Sequence, residues 1–170
     1  MSLFQKIRRL LQSPSSADEP EDPLMARVVL LLEAATYDHV FAPEERALIV
    51  HLLEDHYGLD PEEARETLAL AAAERDRFPD IQSFTRRLIP HMSNPEREQL
   101  MMELWLVIYA DDKLDPNEEH FARKMLTLLR LDRTQWLAAK QAAQDYLAEH
   151  DLDLGNQTRQ SISPNQDPAV

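Results

Sequence analysis

Residues 104–126 read LWLVIYADDKLDPNEEHFARKML, an apolar run that ends in an acidic turn and a proline. The earlier segment 31–53, LLEAATYDHVFAPEERALIVHLL, aligns with it without a gap. In this alignment Asp38 coincides with Asp111, Pro43 with Pro116 and Glu45 with Glu118. Each segment consists of an apolar helical stripe, an acidic turn and a second helix that begins at proline, so the two predict a pair of related helical hairpins.

Composition indicates an all-α protein. The 170 residues contain two glycines and eleven prolines, and 44% of them are apolar, which is enough for a single core. The dominant residues are good helix formers, and few stretches alternate with the period of a strand. We therefore expect about seven helices in a pseudo-twofold bundle built from the two hairpin repeats.

The same sequence pattern recurs at four predicted helix starts: a small or Asx residue, then proline, with an acidic residue close behind. The pattern occurs as APEE, DPEE, NPER and DPNE, beginning at Ala42, Asp60, Asn94 and Asp115. The first residue caps the helix, proline suits its first position, and early glutamate suits the positive end of the dipole. The predicted helices span residues 24–38, 43–57, 61–77, 81–91, 95–111, 116–130 and 133–148. Gly58 stands where a C-terminal cap is expected.

The chain divides into four parts. Residues 1–13 place Leu3, Phe4, Ile7, Leu10 and Leu11 on one stripe, which predicts a basic amphipathic helix. Residues 14–23 are acidic and proline-rich and predict a linker, and residues 151–170 are polar and predict a disordered tail. The folded domain is therefore expected at residues 24–150.

Charge and motifs exclude several functional classes. A net charge of −13 would repel phosphate, so we expect no nucleic-acid partner. Cysteine is absent, and no run is apolar for long enough to span a bilayer or serve as a signal peptide, so a soluble, cytoplasmic protein is expected. With no phosphate-binding loop and no zinc or di-iron motif, the chain is expected to be non-enzymatic.

The acidic turn of the second repeat is the candidate functional site. Asp111 continues the apolar stripe of its helix, and a carboxylate on that side needs a partner. One candidate is a divalent cation (calcium, magnesium or manganese) held by Asp111, Asp115 and Glu118. The alternative is that Asp115 and Glu118 form a capping box and Asp111 accepts amides of the turn. The sequence leaves both interpretations open.

These residues resemble the TerB-like family, named for tellurite resistance, whose helical repeats carry an acidic turn. YADDKLDPNEE with the preceding ELW, FTRRL (84–88) and WLAAK (136–140) carry the resemblance, which covers roughly residues 24 to 143. It implies an all-helical fold and an acidic patch as the metal site. Asp38 and Glu45 are the corresponding acids of the first repeat, which has Ala42 where the second has Asp115.

Two functions follow as hypotheses. The first is a TerB-like domain that binds a divalent cation, a protein partner, or both, in a tellurite or stress response. The second is an interaction scaffold whose acids only cap helices. In the second, residues 1–13 contact an anionic membrane weakly, which would make the protein peripheral to the inner membrane, or lie in a partner's groove.

Overall fold

A computed structural model describes residues 23–37, 41–77, 80–110 and 116–150. Seven α-helices and one short 3-10 helix, with no strand, make up the regular structure of this part of the chain. The helices are α1 (Pro23–Ala35), α2 (Pro43–Tyr57), α3 (Pro61–Arg75), α4 (Ile81–Leu88), the 3-10 helix (Ile89–His91), α5 (Asn94–Ile108), α6 (Pro116–Leu128) and α7 (Arg133–His150). The prediction of an all-α fold is confirmed. The predicted N-terminal helix (1–13), all but the last residue of the linker (14–23) and the predicted tail (151–170) lie outside the described residues.

The predicted helix starts agree closely with the structure, whereas several ends were placed too late. Helix α1 ends at Ala35 rather than at residue 38, and α5 ends at Ile108 rather than at 111. After α1, the amide and the hydroxyl of Thr36 both donate to the Leu32 carbonyl, at 3.0 and 2.7 Å. The next amide, that of Tyr37, bonds to Ala34 at 3.3 Å, so the chain tightens into a turn. Neither end has a glycine to mark it in the sequence.

The predicted helix 81–91 was also too long. The α-helix stops at Leu88, and the chain continues as a 3-10 turn that contains Pro90. Proline has no amide hydrogen and its ring disfavours the α conformation of the preceding residue, so the regular helix cannot continue through it.

The cap of α5 is one residue earlier than the NPER pattern predicted. Asn94 is the first helical residue, and Ser93 is the cap. The Ser93 hydroxyl accepts from the Glu96 amide at 3.4 Å, and the Glu96 carboxylate accepts from the Ser93 amide at 2.8 Å. This reciprocal pair is a capping box. The DPEE start behaves as predicted, because Asp60 accepts from the amides of Glu62 and Glu63, both at 2.9 Å.

Helix α1 lies at the centre of the bundle. Ten of its thirteen residues are buried, as expected for a helix that is apolar on nearly all sides. It packs mainly on α3 and α5, and α5 packs in turn on α7. None of the helices in the described ranges has the length and apolar character needed to cross a membrane.

Several of the residues that the repeat alignment pairs are both buried. Leu31 and Leu104 are both fully buried, as are the second-helix residues Leu52 and Met125. Four further pairs are at most 5% exposed: Leu32 with Trp105, Ala35 with Ile108, Glu45 with Glu118 and Leu48 with Phe121. The alignment therefore matches core positions with core positions, while the pseudo-twofold axis stays a prediction.

Both repeats end their second helix in the left-handed conformation. Gly58 has φ 65°, and Arg130, which follows α6, has φ 53°. The amides that follow the two helices bond back differently. In the first repeat Gly58 bonds to Glu54 at 3.1 Å, which is the simpler left-handed cap. In the second repeat Arg130 bonds to Thr127 at 3.2 Å and Leu131 to Leu126 at 3.1 Å, which is a Schellman cap formed without glycine.

Replacement of Gly58 with alanine is expected to lower the free energy of unfolding by about 1–2 kcal/mol, the cost of a side chain in the left-handed region. An added Cβ would meet no atom within 4 Å, so steric clash adds nothing. Arg130→Gly is the matched reverse change and is expected to raise stability slightly. Urea denaturation measures both. An unchanged midpoint for Gly58→Ala would contradict the expectation.

Candidate functional site

Two loops carry the predicted site, one between α1 and α2 and the other between α5 and α6. Their central acids, Asp38, Asp111 and Asp115, lie outside the described residues. Glu45 and Glu118 are described, and each is the third residue of the helix that follows its loop. They are only 4% and 5% exposed. The two predicted ligands that the structure describes therefore occupy equivalent, buried positions.

Glu45 closes the start of α2. Its Oε2 accepts a hydrogen bond from the Ala42 amide at 2.8 Å. Ala42 has no side-chain acceptor, so only this half of a capping box exists here. The bond fixes the orientation of the carboxylate, and it also shows that one oxygen of Glu45 already has a helix-capping role.

An aromatic contact joins the two hairpins near these loops. The rings of Tyr37 and Phe121 have centroids 5.0 Å apart and are tilted by 50°. Tyr37 immediately precedes Asp38 in the chain, and Phe121 lies one helical turn after Glu118. The start of the first loop therefore lies against the beginning of α6, the helix that follows the second loop.

The described side chains do not by themselves form a metal site. Across residues 23–37, 41–77, 80–110 and 116–150, no three histidine, aspartate or glutamate side chains are grouped closely enough to hold a metal ion. A site made from the predicted ligands would include aspartates of the loops, which lie outside the described residues. The metal site thus stays a prediction.

A buried polar network lies elsewhere in the bundle, around Glu103 of α5. The Glu103 side chain is fully buried, and its Oε1 accepts from His56 Nδ1 at 2.9 Å and from Gln99 Nε2 at 3.0 Å. The Tyr57 hydroxyl donates to the same carboxylate, 3.1 Å from Oε1 and 3.0 Å from Oε2. We refer to these four residues, with Arg27, as the Glu103 network.

Arg27 extends the network to the central helix. It is only 6% exposed, and its Nη1 donates to the Tyr57 hydroxyl at 3.0 Å. Its Nη2 lies 3.3 Å from Glu96 Oε1 in an ion pair. A buried charge is tolerated when it is paired and hydrogen-bonded, and here the pairing connects α1, α2 and α5.

Helix α7 contacts the edge of the network. The Tyr146 hydroxyl donates to Asp55 Oδ2 at 2.8 Å and lies 3.3 Å from His51 Nε2. The Tyr146 ring also meets His56 edge-on, with centroids 5.6 Å apart. The polar residues at the end of α2 therefore contact both α5 and α7, and Asp55 remains exposed.

These contacts shift several pKa values. The hydrogen bond to Glu103 raises the pKa of His56 above 6.5, although burial opposes the shift. Burial raises the pKa of Tyr57, and the hydroxyl of Tyr146 lowers the pKa of Asp55. The arrangement therefore favours a protonated His56 and a neutral Tyr57 phenol. Donors and acceptors that satisfy one another in this way suit a role in holding helices together.

Sequence reasoning assigned no role to Glu103, although one signal was present. The residue lies on the buried stripe of Leu100, Leu104 and Val107. Extended by one residue at its start, the repeat alignment pairs Glu103 with Leu30, which is fully buried. A carboxylate in the core was thus predictable. Its partners His56 and Tyr57 were not, because they come from another helix, α2.

Comparison with known protein families finds a match to most of the folded region. The family model described as tellurite resistance protein TerB matches residues 24–141. This range is more than half of the chain and contains both hairpins and both acidic loops. No curated protein and no solved structure matches the chain.

Proposed function

Because the chain belongs to the TerB family, we propose that its helical domain is a non-enzymatic, cytoplasmic module that binds a divalent cation. The ligands are Asp111, Asp115 and Glu118 of the second repeat with Asp38 and Glu45 of the first. The ion is calcium, magnesium or manganese. A protein partner then binds the ion-loaded domain, and membership of a tellurite resistance family links this binding to a stress response.

One observation carries the proposal: two glutamates at equivalent positions of the repeat are both buried. Glu45 and Glu118 follow loops that also contain aspartates, and the Tyr37–Phe121 contact connects the two hairpins beside them. Two buried glutamates beside loops that contain aspartates provide the carboxylate oxygens that a hard divalent cation prefers.

The chemistry of the ligands agrees with a hard cation. All five ligands are carboxylates, which calcium, magnesium and manganese prefer, whereas zinc sites in proteins are mostly built from cysteine and histidine. The bond from the Ala42 amide to Glu45 holds one ligand in place, which is how surrounding hydrogen bonds orient ligands at metal sites. A bound ion would neutralise the acidic loops.

Calorimetric titration of the full chain with calcium, magnesium or manganese tests the proposal. We expect saturable binding by the wild type and at least a tenfold loss of affinity in the double variant Asp111→Asn, Asp115→Asn, because two of its ligands lose their charge. The matched control is Glu62→Gln with Glu66→Gln, which removes the same charge from exposed positions on α3.

The control variant is expected to bind like the wild type. Absence of binding heat with all three ions would defeat the proposal, as would equal weakening in the two double variants, because general charge and not the loops would then govern affinity.

The capping bond of Glu45 favours a second candidate function. If the acids serve only as helix caps, the domain is an interaction scaffold that binds a protein partner without metal. In that case the loop variant unfolds at lower denaturant concentration, and added metal leaves the unfolding midpoint of the wild type unchanged.

A further inference from the structure

An open groove of about 1070 Å³ runs between α2 and α3. Its base includes the buried side chains of Leu32 and Leu68, and its walls include the half-buried Phe41 and Val50. Its volume exceeds the roughly 300–1,000 Å³ that is typical of small-molecule sites. An elongated apolar surface between two helices is the form of site that accepts one face of a third helix.

We propose that this groove binds residues 3–11 of the same chain as an amphipathic helix. The apolar residues of the segment recur at the spacing with which helices anchor in grooves: Leu3, Phe4, Ile7, Leu10 and Leu11. The remaining positions are polar or basic and would face solvent. The docked segment covers apolar surface of α2 and α3 that the described residues leave open.

The direction in which α1 runs places the preceding chain at one end of the groove. Arg27, near the start of α1, bonds to Tyr57 at the end of α2 at 3.0 Å, and Glu33 pairs with Arg75 at the end of α3 at 2.7 Å. The start of α1 therefore lies where α2 ends and α3 begins. Glu54 and Arg65 line the groove, and they belong to these same ends of α2 and α3.

The linker is long enough for this connection. Residues 14–22 can extend to about 30 Å, whereas the groove follows about 16 Å of α2 between Pro43 and Glu54. A helix of residues 3–11 is about 12 Å long and fits within that distance. Covalent attachment also gives the segment a local concentration in the millimolar range, so that weak contacts suffice.

Charge favours the same pairing. Residues 1–13 contain Lys6, Arg8 and Arg9 and no acidic residue. Helices α2 and α3 together contain eight acidic and three arginine side chains, a net charge of −5 with histidine neutral. This overall charge attracts the basic segment to this side of the bundle. The groove lining itself has two arginines and one glutamate, so the apolar face of the segment, and not charge, determines its position in the groove.

Disulfide trapping in the full chain tests the proposal, because the protein contains no cysteine of its own. Ile7→Cys is combined with Ala69→Cys, an exposed position that lines the groove. We expect this pair to form an intrachain disulfide under mild oxidation at least ten times faster than two matched controls. The controls are Gln5→Cys with Ala69→Cys, on the opposite face of the segment, and Ile7→Cys with Ala138→Cys, an exposed position on α7.

A further substitution tests the proposal at a groove residue that is not replaced with cysteine. Ala47→Glu adds a charged side chain at an exposed position in the groove and is expected to slow trapping of the Ile7–Ala69 pair. Circular dichroism of each variant verifies that the bundle is folded.

Equal trapping rates for the test pair and both controls would overturn the proposal. Disulfides between two chains would also overturn it, because a second copy would then occupy the groove. Co-sedimentation of the wild type with anionic phosphatidylglycerol vesicles, together with no preferential trapping, would assign the segment to a membrane surface instead.

Discussion

Replacement of Glu103 with alanine is expected to lower the free energy of unfolding by about 3–5 kcal/mol, the usual cost of removing one partner from a buried charged network. The carboxylate is fully buried and accepts from His56, Tyr57 and Gln99. Its removal leaves these donors unsatisfied in the core and creates a cavity. Urea denaturation followed by circular dichroism measures the change.

The matched control is Glu66→Ala, the same chemical change at an exposed position of α3, which is expected to alter stability by no more than about 0.5 kcal/mol. If the two variants lost equal stability, the network would have no special energetic role. Glu103→Leu removes the carboxylate but keeps most of the side-chain volume, so it distinguishes the loss of polar contacts from the creation of a cavity. Leucine is the residue that the first repeat has at the equivalent position, Leu30.

The Glu103 carboxylate is also expected to make the free energy of unfolding depend on pH, through the proton that His56 binds. Glu103 raises the folded-state pKa of His56 above the unfolded value of 6.5. The folded state therefore binds the proton more tightly, and the resulting stabilisation is complete below pH 6.5 and is lost as pH rises through the folded pKa. Glu103→Gln is expected to reduce this decline. A wild-type free energy of unfolding that rises with pH in that range would contradict the assignment.

Replacement of Trp105 with alanine is the second large effect, expected to cost about 3–5 kcal/mol because it empties a fully buried position. The Trp105 ring meets Trp136 of α7 edge-on at 5.2 Å and stacks on Tyr109 at 5.5 Å. The Lys140 ammonium lies 5.0 Å from its centroid. These contacts fix α5 against α7, one turn before the second acidic loop.

Trp105→Phe is the informative control. Among the described residues the Trp105 indole N–H has no hydrogen-bond partner, so phenylalanine loses ring area but no polar contact. It is expected to cost less than half as much as alanine. Trp136→Phe differs, because the Trp136 indole donates to the Ala122 carbonyl at 3.0 Å and that bond disappears. Similar losses for Trp105→Phe and Trp105→Ala would show that ring packing is not the source of the stability. Circular dichroism is the suitable probe, because each change removes a fluorophore.

Much of the fold was predictable because helix starts and repeats are local properties of the chain. The bounds of α2 agree at both ends with the predicted 43–57, and Gly58 adopts the left-handed cap that its position indicated. Helix ends without glycine were predicted poorly. The ring of Pro90 ends the regular part of α4, whereas the ends of α1 and α5 carry no comparable signal in the sequence.

The candidate site was predictable only in part. Spacing and the repeat identified Glu45 and Glu118 as equivalent, and the structure shows both of them buried. Whether they bind an ion depends on the positions of Asp38, Asp111 and Asp115, and the described residues do not include these three. The aromatic contact between Tyr37 and Phe121 could not be predicted from the sequence, since it joins residues far apart in the chain.

By itself, the sequence determined the helical class, the positions at which most helices begin and the correspondence between the two hairpins. Only the tertiary structure decided which side chains meet across helices: His56 with Glu103, Arg27 with Tyr57, and Trp105 with Trp136. Caps and proline act through neighbouring backbone groups, so they can be recognised in a short stretch of sequence. A partner for a buried charge or ring is selected by the three-dimensional packing of whole helices, and a single sequence does not show that packing.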